Sequence, residues 1–253
     1  MKSPLRLLAL VLTLSLVTTL NGCSPSSDQL FEQGNAALSA GNYTQAELIW
    51  RRVIQLNPKS AYAYFGLGNA LSNQGKLEDA IAAYRQGIQL DPKNADAYIA
   101  LGNTVYKQGK LEEAIAAYRQ AIQLKPKFAL TYYGLGVALE SQGKLEEAIA
   151  AYRQAIQLDP KNADAYIALG NAVYNQGKLE DAIAAFRQGI QLDPKSARAY
   201  NNLGFVLRKQ GKLEESIAAY RQALSLSDDK SGTSLQQQDN LEAAIEEYKK
   251  RSK

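Results

Sequence analysis

The 253-residue sequence has no histidine and a single cysteine. Without an imidazole, no side chain with an ordinary titration near neutral pH can serve as general base, as a nucleophile's partner or as a zinc ligand. One cysteine makes neither an internal disulfide nor a Cys-x-x-Cys metal site. Histidine-based hydrolase triads and most zinc or non-haem iron centres are excluded, and only carboxylate chemistry passes this filter. No residue pattern calls for a metal or a cofactor. Strong charge is lacking too: 29 Lys and Arg stand against 25 Asp and Glu, a net of +4. Some of that excess sits at the ends, in Lys2, Arg6, Lys249, Lys250, Arg251 and Lys253. The rest is close to neutral, so no nucleic-acid partner is expected. The basic C-terminal stretch reads as a helix end, where the macrodipole favours cations.

Long apolar runs are also missing. The stretch 7–20 is about fourteen residues, whereas a spanning helix needs roughly twenty. With Lys2 and Arg6 in front of it, residues 1–22 have the parts of a cleaved export signal. The run ends in Leu20-Asn21-Gly22-Cys23, which resembles the lipobox of bacterial lipoproteins. Asn21 departs from the small residue usual in that motif. The resemblance implies that Cys23 becomes a lipidated first residue, carrying palmitate-type chains. The protein is then exported and anchored to a bacterial membrane, facing the periplasm or the cell exterior. A plain secretory cleavage and an uncleaved anchor are the alternatives. Several acyl chains would hold the protein stably where one would not. Residues 23–26 are then the lipidated cysteine and a short polar spacer.

Beyond the leader the chain repeats itself every 34 residues, in units 27–60, 61–94, 95–128, 129–162, 163–196 and 197–230. The third unit has Tyr98, Leu101-Gly102, Val105, Ala114, Tyr118 and Pro126. The fifth has Tyr166, Leu169-Gly170, Val173, Ala182, Phe186 and Pro194. The first is the most divergent, with Leu30 and Gln33-Gly34, yet it keeps Gly41, Ala46, Trp50 and Pro58. This period and pattern resemble the tetratricopeptide repeat. The spacing by itself predicts two helices per unit: one stripe of Tyr98, Leu101 and Val105, another of Leu111, Ala114, Ile115, Tyr118 and Ile122. Gly109 suits a left-handed cap, Pro126 ends the second helix, and Asn94 can cap the next first helix. One hairpin cannot bury its own apolar face, but stacked neighbours can. The pattern fails after Leu226, and residues 231–253 read as a C-terminal capping helix with Leu241, Ala244, Ile245 and Tyr248 on one face. The predicted class is all-α, a right-handed α-α superhelix of six units plus a cap.

The resemblance implies that the first helices line a concave groove that takes an extended peptide or a partner's segment. The groove positions would be second, fifth, ninth, twelfth and thirteenth in each unit. Comparing the units separates a frame from a variable face: the second helix is nearly copied, whereas positions twelve and thirteen vary. The candidate binding residues are an asparagine ladder (Asn35, Asn69, Asn103, Asn171), with Asn73, Asn175, Asn201 and Asn202. Aromatic surface comes from Tyr62, Phe65, Tyr106, Tyr133 and Tyr174, and cations from Arg198, Arg208 and Lys209. A side-chain amide both donates and accepts, so a ladder of them can pair with a peptide backbone; an exposed, merely solvated face is the alternative. Asp96 and Asp164 against the cations of the sixth unit suggest a groove running from acidic to basic. The lysine-and-asparagine carboxylate clamp of the chaperone-binding branch is absent.

The expected role is therefore a non-enzymatic scaffold that binds a protein partner and organises an envelope complex. A self-associating structural array and a pilotin-like assembly lipoprotein are the alternatives. No residues are left over for a catalytic domain, and Glu112-Glu113 belong to the copied outer face.

Overall fold

The computed structural model describes residues 26–227 and 232–252. The leader 1–22, Cys23, the rest of the spacer before residue 26, residues 228–231 and Lys253 lie outside the described residues. All regular structure among the described residues is helical. The chain divides into two compact units, residues 1–92 and 93–253.

In the first unit, α1 (Ser27–Ser39) pairs with α2 (Tyr43–Leu56), and α3 (Ala61–Asn73) pairs with α4 (Leu77–Leu90). α2 packs on α3, and α1 also meets α3. In the second unit the pairs are α5 (Ala95–Lys107) with α6 (Leu111–Leu124), then α7 (Ala129–Ser141) with α8 (Leu145–Leu158). They continue as α9 (Ala163–Asn175) with α10 (Leu179–Leu192), and α11 (Ala197–Lys209) with α12 (Leu213–Ser225). A last helix, α13 (Gly232–Arg251), lies on α12 and touches α11.

Local chemistry sets these boundaries. Asn94 and Asn162 accept from the backbone N–H three residues on, each at 3.0 Å, and Ser60 and Ser196 do the same. Such caps satisfy one of the free N–H groups at each helix start. Ser26 and Gln29 form a reciprocal capping box at α1. At the other end, Gly109 has φ +77°, which an L side chain rarely adopts. The Lys110 N–H then donates back to the Val105 carbonyl at 3.0 Å, closing the first helix. The second helix stops at Leu124 because Pro126 disfavours helical geometry at Lys125, found at φ −137°, ψ 73°.

The core of each pair is one large ring laid on a glycine. Trp50, Tyr84, Tyr118, Tyr152, Phe186 and Tyr220 are all buried. A Cβ on Gly68 would stand 2.5 Å from Tyr84, and one on Gly136 2.5 Å from Tyr152. Neither gap admits a methyl group. Alanines beside these rings (Ala80, Ala114, Ala148, Ala182) are fully buried. Burying one such ring contributes about 2 kcal/mol or more.

Candidate functional site: the face of the first helices

The candidate residues all lie on α1, α3, α5, α7, α9 and α11, the first helix of each pair. Their side chains are tied into the frame more closely than the repeat pattern implies. Tyr84 donates its hydroxyl to Oδ1 of Asn69 at 2.8 Å, and Tyr118 donates to Oδ1 of Asn103 at 2.6 Å. These are core tyrosines from the second helix, so the ladder asparagine satisfies a polar atom that burial would otherwise strand. Burial pushes the Tyr118 phenol well above its ordinary value, and the nearby Tyr106 adds to this. Asn35 accepts from the Tyr62 hydroxyl at 3.0 Å, and Asn171 accepts from Asn202 Nδ2 at 2.9 Å.

The fourth pair has Val137 where the asparagine would stand, and there the Tyr152 hydroxyl donates instead to Glu140 at 2.7 Å. Burial and the Glu140 carboxylate together hold the Tyr152 phenol protonated. Of the remaining polar candidates, Asn73 spends its amide N–H on its own helix, at the Asn69 carbonyl. Asn201 accepts from Asn240 of α13 at 3.3 Å. Asn175 is exposed.

The aromatic candidates fall into separate clusters. In the first unit Tyr62 stacks on Phe31 with centroids 5.1 Å apart, and Phe65 lies 6.2 Å from Tyr62. Trp50 meets both Phe31 and Tyr62 edge-on beneath them. In the second unit Tyr133 lies 5.9 Å from Tyr152, and its phenol is raised chiefly by burial. The Tyr106 hydroxyl bonds Ser141 Oγ at 3.1 Å. Tyr174 packs edge-on to Phe205 at 5.5 Å. A recess of about 520 Å³ brings together Tyr174, Asn175, Leu179 and Lys209.

The expected acid-to-base gradient needs correction, because most of its charges are neutralised by neighbours. Arg198 pairs with Asp164, the residue 34 positions earlier. Lys125 pairs with Asp96 at 3.3 Å. Arg208 bonds Glu247 of α13 at 3.0 Å, and the other Glu247 oxygen takes Arg251 at 2.7 Å. Lys209 stands over the Phe205 ring at 5.5 Å. The fifth position is not uniformly available either: Ile167 is 1% exposed and packs against Gly189.

Phe205 and Glu247 were not among the sequence candidates. The 34-residue register does put Phe205 at the ninth position, where attention to asparagine alone passed over it. Among the described residues no cluster of potential metal ligands occurs, and no helix is long and apolar enough to cross a membrane.

Copied helix pairs, glycine-capped turns and a varied first-helix face define a helical-repeat interaction protein. The chain belongs to the family described as the cilia and flagella-associated protein 70 C-terminal domain, a TPR family whose pattern matches residues 20–252. No curated protein matches the sequence. Among solved structures, MamA is similar at 30% identity, covering 63% of this chain and 94% of its own, with a TM-score of 0.61. YrrB, described as a TPR protein with an unusual peptide-binding site, is 25% identical over 72% of this chain and 93% of its own, TM-score 0.61. PilF of Pseudomonas aeruginosa shares the fold at 20% identity and a TM-score of 0.72, over 84% of this chain and 96% of its own.

Proposed function

We propose that the protein is a non-enzymatic adaptor that holds a segment of a partner protein against its first helices while a lipid on Cys23 ties it to a bacterial membrane. The observation that carries the binding half is the contrast within each pair. The second helix is nearly copied, and its buried ring is fixed on glycine. The first-helix face changes from unit to unit and carries partly exposed aromatics and amides, the residue types that anchor binding interfaces. The peptide-binding site in YrrB's description supports the same use of the fold. The anchoring half rests on Leu20-Asn21-Gly22-Cys23 alone.

Two experiments test the reading. Peptides selected from a random library against the purified chain should bind the first-helix face, and Asn69→Ala with Asn103→Ala should weaken them about tenfold or more. Unchanged binding in that double variant would move the site elsewhere. For the anchor, a native-host preparation should place the chain in the membrane fraction with an acylated Cys23. A soluble Cys23→Ser protein is expected, and an unmodified Cys23 in the wild type rules the lipid out.

A further inference from the structure

The four asparagines at the ninth position share a polarity. Oδ1 of Asn35 accepts from Tyr62, that of Asn69 from Tyr84, that of Asn103 from Tyr118, and that of Asn171 from Asn202. The donors come from three different repeat positions, so this is not one copied contact. Each time the amide oxygen already takes one hydrogen bond within the protein, which leaves two N–H donors against one remaining lone pair for a ligand. Tyr152, equivalent to Tyr84 and Tyr118, donates to a carboxylate, which has no proton to give in return. The Tyr152 proton thus points to the first helix, the same direction recorded for Tyr84 and Tyr118. The ladder is therefore richer in donors than in acceptors toward a ligand.

In the unit 1–92 two such amides, Asn35 and Asn69, occur with Phe31, Tyr62 and Phe65, and Tyr62 is 44% exposed. Donors interspersed with aromatic rings suit a backbone that supplies carbonyl oxygens and asks for few acceptors. Proline has no backbone N–H. Its polyproline II form is extended, leaves its carbonyls open and is largely ordered before binding, and aromatic-lined grooves recognise it.

We propose that this unit binds an extended proline-rich segment, with Asn35 and Asn69 donating to its carbonyl oxygens and Tyr62, Phe31 and Phe65 packing on its rings. Tyr84 is a positioning residue that acts through Asn69. The inference rests on the first-helix face being the binding face.

The test uses the full chain in detergent, ¹⁵N-labelled, with acetyl-(Pro)10-amide as probe and acetyl-(Gly-Ser)5-amide as a comparator rich in N–H groups. The decaproline should bind at least about tenfold tighter and move the side-chain NH₂ signals of Asn35 and Asn69. Asn35→Asp and Asn69→Asp replace a donor by an acceptor and should each weaken it about tenfold, with the melting temperature retained. Tyr84→Phe should weaken it about threefold and add no further loss in the Asn69→Asp background, as a residue acting through Asn69 would and an independent structural defect would not. Equal or tighter binding of the comparator overturns the inference, as does full binding by both aspartate variants. If library peptides bind the face while decaproline does not, only this inference falls. If neither binds, the functional reading falls with it.

Discussion

The second and third repeats differ from the fourth and sixth in how they treat one buried hydroxyl. In the former, Tyr84 and Tyr118 each find an asparagine on the neighbouring first helix. In the latter the ninth position is Val137 or Phe205. Tyr152 reaches Glu140, one helical position set further along, at 2.7 Å. The buried Tyr220 hydroxyl makes no hydrogen bond of good geometry; burial pushes it up to about 12, against a lowering by Arg208, which stands at the same repeat position as Glu140. The fifth repeat avoids the problem with Phe186, and its Asn171 is left to accept from Asn202. The core and the candidate binding face are thus coupled. A residue on the first helix is free to vary only as far as the ring beneath it is still satisfied.

The comparison can be broken most severely from the frame. Gly136→Ala drives a methyl group to 2.5 Å from Tyr152 and should cost about 3 kcal/mol in denaturant unfolding. Gly143→Ala, in open space but at φ +80°, should cost only about 1 kcal/mol. Next comes Glu140→Leu, which strands the Tyr152 hydroxyl and should cost about 2 kcal/mol, measured the same way. Adding Tyr152→Phe to it should recover most of that loss, because an apolar pair replaces both partners. If Glu140→Leu is neutral, the hydroxyl has another outlet.

A smaller effect concerns Glu47, which belongs to the first unit and has no copy elsewhere at its position. It takes Lys76 at 2.8 Å, Gln74 at 2.9 Å and Arg51 at 3.0 Å. Bonding to Lys76, with Gln74 and Arg51, lowers its pKa from 4.5 to about 2 against a desolvation penalty. A depressed carboxylate adds stability that is complete above 4.5 and is lost as the pH falls toward 2. Glu47→Gln should therefore destabilise by about 1 kcal/mol at pH 7, and the difference should vanish by about pH 2 in thermal melts. A difference independent of pH would assign the effect to packing.

Much of the fold was legible because its causes are periodic. Glycine at the turn, proline after the second helix and a ring against a small residue recur every 34 positions, so each unit confirms the others. The cap α13 was legible from its apolar face, and Ala244 is indeed fully buried. The pairing of side chains was harder to read. The Asp164–Arg198 ion pair follows from adjacency of like positions in successive repeats, yet charges read as a gradient along the chain hide it. The Glu247 contact to Arg208 depends on how α13 seats on α11 and α12, which no repeat encodes, whereas its pair with Arg251 is an i, i+4 contact within α13. The link from Tyr118 to Asn103 joins residues on different helices through one rotamer choice. Helical periodicity places both residues but says nothing of the bond.

That bond is where frame and candidate binding face meet, and a double-mutant cycle on Asn103→Ala and Tyr118→Phe measures it most directly. A coupling of about 1 kcal/mol or more is expected, with the double variant more stable than the sum of the two losses allows. Additive losses would mean that the asparagines are independent of the core, and would contradict the account.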